Sequence, residues 1–509
     1  MPRVQEFLLH PLGWESDPEE ERFKLSTIDY LTTTTYLPMA IYFKLKETEK
    51  PLVYDYPICL ARKVIDFFNS KTVAILKKGI ERTLSQIRHF CGTVEKDDDG
   101  HHSIVKKKGS TVKFVIQYLD SPEAKFPSFS EIEDAHFVSS LLGDVSVLCN
   151  APMTCGRKPE AHPDNRPVIS SFKANFIRGG LILIIHGHHY SNGITGFNSL
   201  VKQLSGNCHA IAHATEFPPF DMRCLDRSVL SFLEYDRPNS KTSPVNSSPR
   251  PKTNMQLRHS QSLMFHLRKS RAAELKKASS TSDGLWISTY DAVCAMMWRT
   301  LSRIREPLYK PGLDYKPLWA TGVSIHKLFT NPPLPASFQG NSQIDIKSTT
   351  SAIPQLTLAE IISEAPLFKI ASYTRQLTDS VTSDLVAAML QEHAHVRNKE
   401  DLSINLASFP PMSILVSDWR VANLCKFDFG FGELCGWRHL FGGVPPCQVL
   451  VYAPHKGPAG DDEGIELQIT FETELAQQLI NDPEWSRYFE FRGVDASDGE
   501  SLVAQKSKL

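Results

Sequence analysis

The chain has 509 residues, room for about two to four average domains, and its 56 Lys+Arg almost balance 57 Asp+Glu for a formal charge of −1. Hydrophobic residues make up 41% and aromatics 10%, ordinary for a globular protein, and no long basic run points to nucleic acid. The longest apolar stretch, Gly180 to Ile185, is too short to span a bilayer, and the N-terminus turns acidic before a secretory core could form.

In chain order, Lys71 to Phe90 carries Val73, Leu76, Ile80, Leu84 and Ile87 at helical spacing and stops at Cys91-Gly92. Glu95 to Ser110, with opposed charge blocks around Gly100, reads as a solvated hairpin tip or loop. Val112 to Tyr118 is a strand candidate. The run Gly180 to Ile185 is a second, followed by His186, His188 and His189 in a tight loop. Ile194, Phe197, Leu200, Val201 and Leu204 then recur at helical spacing as far as Gly206, with Asn192 placed as the N-cap and Gly193 relaxing the backbone beside it. Asp236 to Gln256 is rich in Pro, Ser and Asn and reads as a flexible linker.

Beyond the linker, Ser288 to Ile304 reads as a helix with Ser288 or Thr289 as cap. Gln448 to Tyr452 and the alternating Ile465, Leu467, Ile469, Phe471 read as strands. The class is therefore α/β or mixed α+β in two domains, divided as 1–235, a crossover 236–261, 262–500, and a tail 501–509. The ten cysteines include no CxxC pair and are expected as reduced thiols of an intracellular protein. The chain ends in Ser507-Lys508-Leu509, the address read by the peroxisomal import receptor, so the expected compartment is the peroxisome.

The histidine cluster admits a metal site or a catalytic base. No HExxH occurs, and His393 and His395 diverge on an expected helix, so no metal is expected. No GxSxG elbow supports a nucleophilic serine.

Five stretches, in order, carry a resemblance: LSTIDYLTTTTYLPMAIYF (25–43), HHYSNG (188–193), ISTYDAVCAMMWR (287–299), NPPLPASFQGNS (331–342) and KFDFGFGEL (426–434). They resemble the BAHD acyltransferases, and within them the fungal branch of trichothecene 3-O-acetyltransferase-like and ergot-alkaloid acetyltransferase-like proteins. The resemblance implies a two-domain chloramphenicol-acetyltransferase-like fold with an active-site channel at the domain interface, and a monomer. It implies acyl-CoA, most simply acetyl-CoA, as co-substrate, no permanently bound cofactor, and a hydroxylated small molecule as acceptor. His188 is then the general base, with no covalent intermediate. Tyr36 and His186 line the channel, His189 faces away, and Asp428, Gly430 and Gly432 form a structural motif near the CoA side.

Two departures stand out. Asn192 replaces the family's aspartate, and His326 (or Lys327) stands where its arginine partner is expected; a neutral Asn192–His326 hydrogen bond is the expected substitute. Phe431 replaces the tryptophan of DFGWG. These departures motivate an alternative, a member that performs CoA-independent proton transfer or cyclisation, or only binds a ligand. A second alternative is N-acylation of an amine.

Overall fold

The computed structural model describes residues 3–45, 58–97, 101–151, 153, 159–230, 258–280, 286–394, 396, 398–441, 443–444, 447–454 and 463–498. The expected linker and the SKL tail lie largely or wholly outside them. The chain forms two units: 1–230 with 334–341 and 422–442, and 231–333 with 342–421 and 443–509.

In the first unit, strands β1 (Tyr36–Lys44), β2 (Ser170–Ile177), β3 (Gly180–His188) and β4 (Glu433–His439) lie in one six-stranded sheet. Its order is Arg3–Leu9, Val112–Tyr118, β2, β3, β1, β4. Only the Val112–Tyr118/β2 pairing is parallel. β2 and most of β3 are buried on both faces, which is why Leu181 to Ile185 reads as an unbroken apolar run rather than an alternating one. Helix α1 (Ile58–Gln86) packs against helix α2 (Ile194–His213), which leaves the end of β3 after a tight turn.

Three expectations need correction here. The DFGFG stretch was assigned to the second domain, but β4 immediately after it pairs with β1, so the stretch belongs to the first unit. Gly206 does not end α2, which continues to His213 and closes on Ala214 in the left-handed region. Gly206 instead admits Pro218: an added Cβ there would lie 2.8 Å from Pro218 Cγ. Finally, the solvated segment is shorter than expected: Thr93–Lys96 and His102–Lys107 pair as a hairpin, with 98–100 outside the described residues, but His102–Lys107 is a mostly buried strand that also pairs with Glu20–Lys24. Lys106, 1% exposed, is neutralised there by Asp17 and Glu21.

The second unit has a seven-stranded sheet in the order Gln343–Lys347, Trp319–Ser324, Ile414–Asp418, Gln448–Tyr452, Gly464–Glu472, Ser260–Arg268, Phe489–Ser497. Helix α3 (Thr289–Tyr309) covers one face, its Met297, Trp298 and Leu301 sharing a core with Leu467, Ile469 and Phe471. Ser288 caps it through a reciprocal box with Asp291, satisfying two otherwise orphaned amides. Eight cysteines whose side chains are described, from Cys91 to Cys447, are free thiols.

Candidate active site

The turn that follows β3 begins at His188, which is fully buried. Its Nδ1 accepts the Tyr190 amide N–H (3.2 Å), which places the ring proton on Nε2, directed at the Ala161 carbonyl 2.8 Å away. The Tyr36 ring meets His188 edge-on at 5.4 Å between centroids, and the Tyr36 hydroxyl donates to the Val168 carbonyl. Burial pushes the His188 pKa down to about 4, so the imidazole is neutral throughout the physiological range.

His186, two residues back, is also fully buried, with both ring nitrogens engaged: Nε2 accepts from Asn150 N–H, and Nδ1 pairs with the Ser171 carbonyl. It helps bolt residues 147–150 to the sheet, together with Lys173, which donates to the Val147 and Cys149 carbonyls, and Asn175, which donates to Leu148. His189 is half-buried; its amide donates to the Thr35 carbonyl. Among the described residues no group of three or more His, Cys, Asp or Glu side chains could hold a metal ion.

The structure does not give Asn192 the cap role expected of it. Gly193 is the cap position and makes no side-chain bond. The Asn192 amide is drawn to Gln339 Oε1 (2.9 Å), and the Gly193 N–H meets the Gly340 carbonyl. His326 sits half-buried in a short turn of the second unit, its amide bonded to Ser324 Oγ.

A second set of contacts holds the turn. Asp29, wholly buried, accepts from Ser26 N–H and Oγ, from Arg227 Nη1 (2.9 Å), and from the Asn341 amide N–H and side chain (3.1 and 2.9 Å). Arg227 also donates to the Tyr190 and Ser191 carbonyls (2.9 and 2.6 Å), and Asn341 to the His189 carbonyl (3.0 Å). A buried pair of this kind adds little net stability, yet removing one partner costs roughly 3–5 kcal/mol because the other charge is left stranded. Asp29, Gln339 and Asn341 stand in the sequence only as members of the 25–43 and 331–342 motifs, with no role attached, and Arg227 stands in none.

In the DFGFG turn, Asp428 Oδ1 accepts the Gly430 N–H (2.8 Å), and Oδ2 lies 3.5 Å from His209 Nε2 on α2. Gly430 has φ +76°, and an added Cβ would lie 2.6 Å from Ala212 Cβ and 3.2 Å from His209 Cα. Gly432 is pressed against Lys44 and Leu45. Phe429 and Phe431 pack on Phe43 of β1. The motif thus braces the C-terminal half of α2 against the sheet and touches none of the His188 contacts described above.

The second unit contains a cavity of about 670 Å³ lined by Lys269, Lys276, Lys277 and Arg420, with Thr289 and the single acid Glu463. Arg420 is already paired with Asp418, so the lysines carry its unneutralised charge. Lys276 also lies over the exposed ring of Trp286. Lys269, Ala272, Ala273, Lys276 and Lys277 fall at helical spacing in KSRAAELKKA, a basic stripe that the sequence carries.

Comparison with known proteins identifies the family and the fold. Residues 56–208 match the model of the trichothecene 3-O-acetyltransferase-like N-terminal domain. The acetyltransferase FGR3 of Gibberella zeae is 44% identical over 497 residues, 97% of this chain and 95% of that protein. The structure of TRI101 from F. sporotrichioides, complexed with coenzyme A and T-2, shares the fold with a TM-score of 0.70 at 20% identity, covering 93% of this chain and 100% of that one. Vinorine synthase shares it with a TM-score of 0.59 at 15% identity, covering 94% and 96%. The chain belongs to the trichothecene 3-O-acetyltransferase-like fungal acyltransferases of BAHD type, and it is an acyltransferase that uses acyl-CoA.

Proposed function

We propose that the enzyme moves an acetyl group from acetyl-CoA to a hydroxyl of a fungal secondary metabolite, with His188 as general base. The observation that carries this reading is a wholly buried imidazole held neutral at the end of β3. An alcohol is a poor nucleophile at neutral pH, so its proton must be taken as oxygen attacks the thioester carbonyl. Such assistance is typically worth about 10²–10⁴-fold, and holding alcohol and thioester together supplies much of the rest. The proton taken by His188 then passes to the departing thiolate, so no acyl-enzyme is required. The relative FGR3 is named an acetyltransferase, and the more distant TRI101 a trichothecene 3-O-acetyltransferase, which favours acetyl and a hydroxyl.

The resting arrangement sets one condition. With its proton on Nε2, His188 presents a donor to the Ala161 carbonyl, whereas a base needs that nitrogen's lone pair. The entering acceptor must therefore displace the Ala161 carbonyl and let the ring shift its proton to Nδ1, away from the Tyr190 amide. The lysine-lined cavity supports a site for the phosphates of CoA, since compact ammonium groups suit phosphate as point charges.

The test is thiol release from acetyl-CoA in the presence of hydroxylated metabolites from the producing organism, with product masses recorded. A product heavier by one acetyl group on oxygen supports the reading; acetylation confined to amines replaces it with N-acylation. Import into peroxisomes through Ser507-Lys508-Leu509 is part of the proposal, checked by locating fluorescent fusions with and without those residues. The enzyme is taken to act as a monomer, which sedimentation checks.

A further inference from the structure

We propose that Asp29 is the carboxylate that positions the His188 turn, acting through Arg227 and Asn341. The inference rests on the reading of His188 as base. Three successive carbonyls leave the turn, those of His189, Tyr190 and Ser191. The first is held by Asn341 Nδ2, the other two by the two ends of the Arg227 guanidinium. Both holders are themselves fixed by Asp29: Oδ2 takes Arg227 and Oδ1 takes Asn341.

One of these contacts reaches the base directly. The peptide between His189 and Tyr190 is a rigid plane. Its carbonyl accepts from Asn341, and its N–H donates to His188 Nδ1. Asp29 thus fixes, through Asn341, the peptide against which the imidazole rests and the backbone that carries it. Asp29 is in turn locked at the start of a short helix by its reciprocal box with Ser26. A guanidinium suits this place because its planar fork can serve one carboxylate and two carbonyls at once, which a lysine ammonium on a flexible stem does not reproduce. The Asn192 amide, bonded to Gln339, meanwhile supports the turn from its far end without charge.

The experiment measures kcat, KM for acetyl-CoA, and the pH dependence of kcat by thiol release, using the purified full chain and Asp29→Asn, Arg227→Lys, Asn341→Ala and His188→Ala. Asp29→Asn is expected to lower kcat about 10- to 100-fold, with little change in KM, because misplacement of a reacting group acts on the chemical step. The acid limb of its kcat profile should also move to higher pH, as a loosened turn admits water to the imidazole. Arg227→Lys should fall between this variant and wild type. Asn341→Ala leaves the Asp29–Arg227 pair in place and should shift kcat and the limb in the same directions by less. If Asp29→Asn does not fold, Asn341→Ala decides. Folded Asn341→Ala and, where it folds, Asp29→Asn with wild-type kcat and acid limb overturn the proposal. Loss of activity in His188→Ala beside such wild-type behaviour would defeat this proposal alone, whereas full activity in His188→Ala would remove the base reading on which it stands.

Discussion

The His188 turn and the DFGFG turn both depart from the family's pattern, and they are built on opposite principles. The first is buried and polar: three carbonyls and one amide are held by a carboxylate, a guanidinium and two amide side chains. The second is held by shape, with a glycine in the left-handed region pressed on α2, an aromatic pair on β1, and an exposed carboxylate closing the turn. A missing charge in a buried polar turn must be answered by another group nearby, whereas one ring exchanged for another at a partly exposed turn needs only space.

The contrast can be tested by substitution and by acid. Gly430→Ala should destabilise the protein by roughly 2–4 kcal/mol, combining left-handed strain with a clash against α2, as read from urea unfolding. Acid should act on the other turn. Burial holds the pKa of His188 down to about 4 and those of His186 and His439 to about 3, against 6.5 in the unfolded chain. Between about pH 6.5 and those values the unfolded chain binds more protons, so stability present above 6.5 is lost as pH falls, at roughly 1.4 kcal/mol per pH unit for each histidine. Unfolding free energies at pH 7, 6 and 5 check this. Losses absent over that window would mean these imidazoles are solvated.

Restoring the family's aspartate, Asn192→Asp, removes the donor to Gln339 Oε1 and sets two acceptors face to face, at a cost of about 1–3 kcal/mol. A gain in stability would show instead that a cation is within reach and that Asn192 was a simple loss. Phe431→Trp should be the mildest change, within about 0.5 kcal/mol, because the ring is only partly buried. A larger loss would show that the DFGFG turn is as tightly specified as the buried one.

What could be read from the sequence follows the range of the interactions. The Ser288 cap, one of the two candidates, was legible, though its box with Asp291 was not, and so were the strands at 448–452 and 465–471, whose apolar patterns are local. The end of α2 was misread because Gly206 serves a contact with Pro218 rather than a helix stop. Asn192 looked like a cap because such residues usually are, yet a partner 147 residues away takes its amide. Asp29 meets Arg227 and Asn341 across 198 and 312 residues, and no periodicity reports such pairs. The placement of DFGFG failed for the same reason, since only the β1–β4 pairing shows which unit owns it.

The account turns on His188. The most direct measurement is kcat for acetyl transfer from acetyl-CoA to a hydroxyl acceptor by wild type and His188→Ala, each first shown to be folded and to bind CoA. The account predicts that the variant keeps CoA binding and loses about 10²–10⁴-fold in kcat, with the acetylated product vanishing in step. A folded, CoA-binding variant that turns over at the wild-type rate would contradict it.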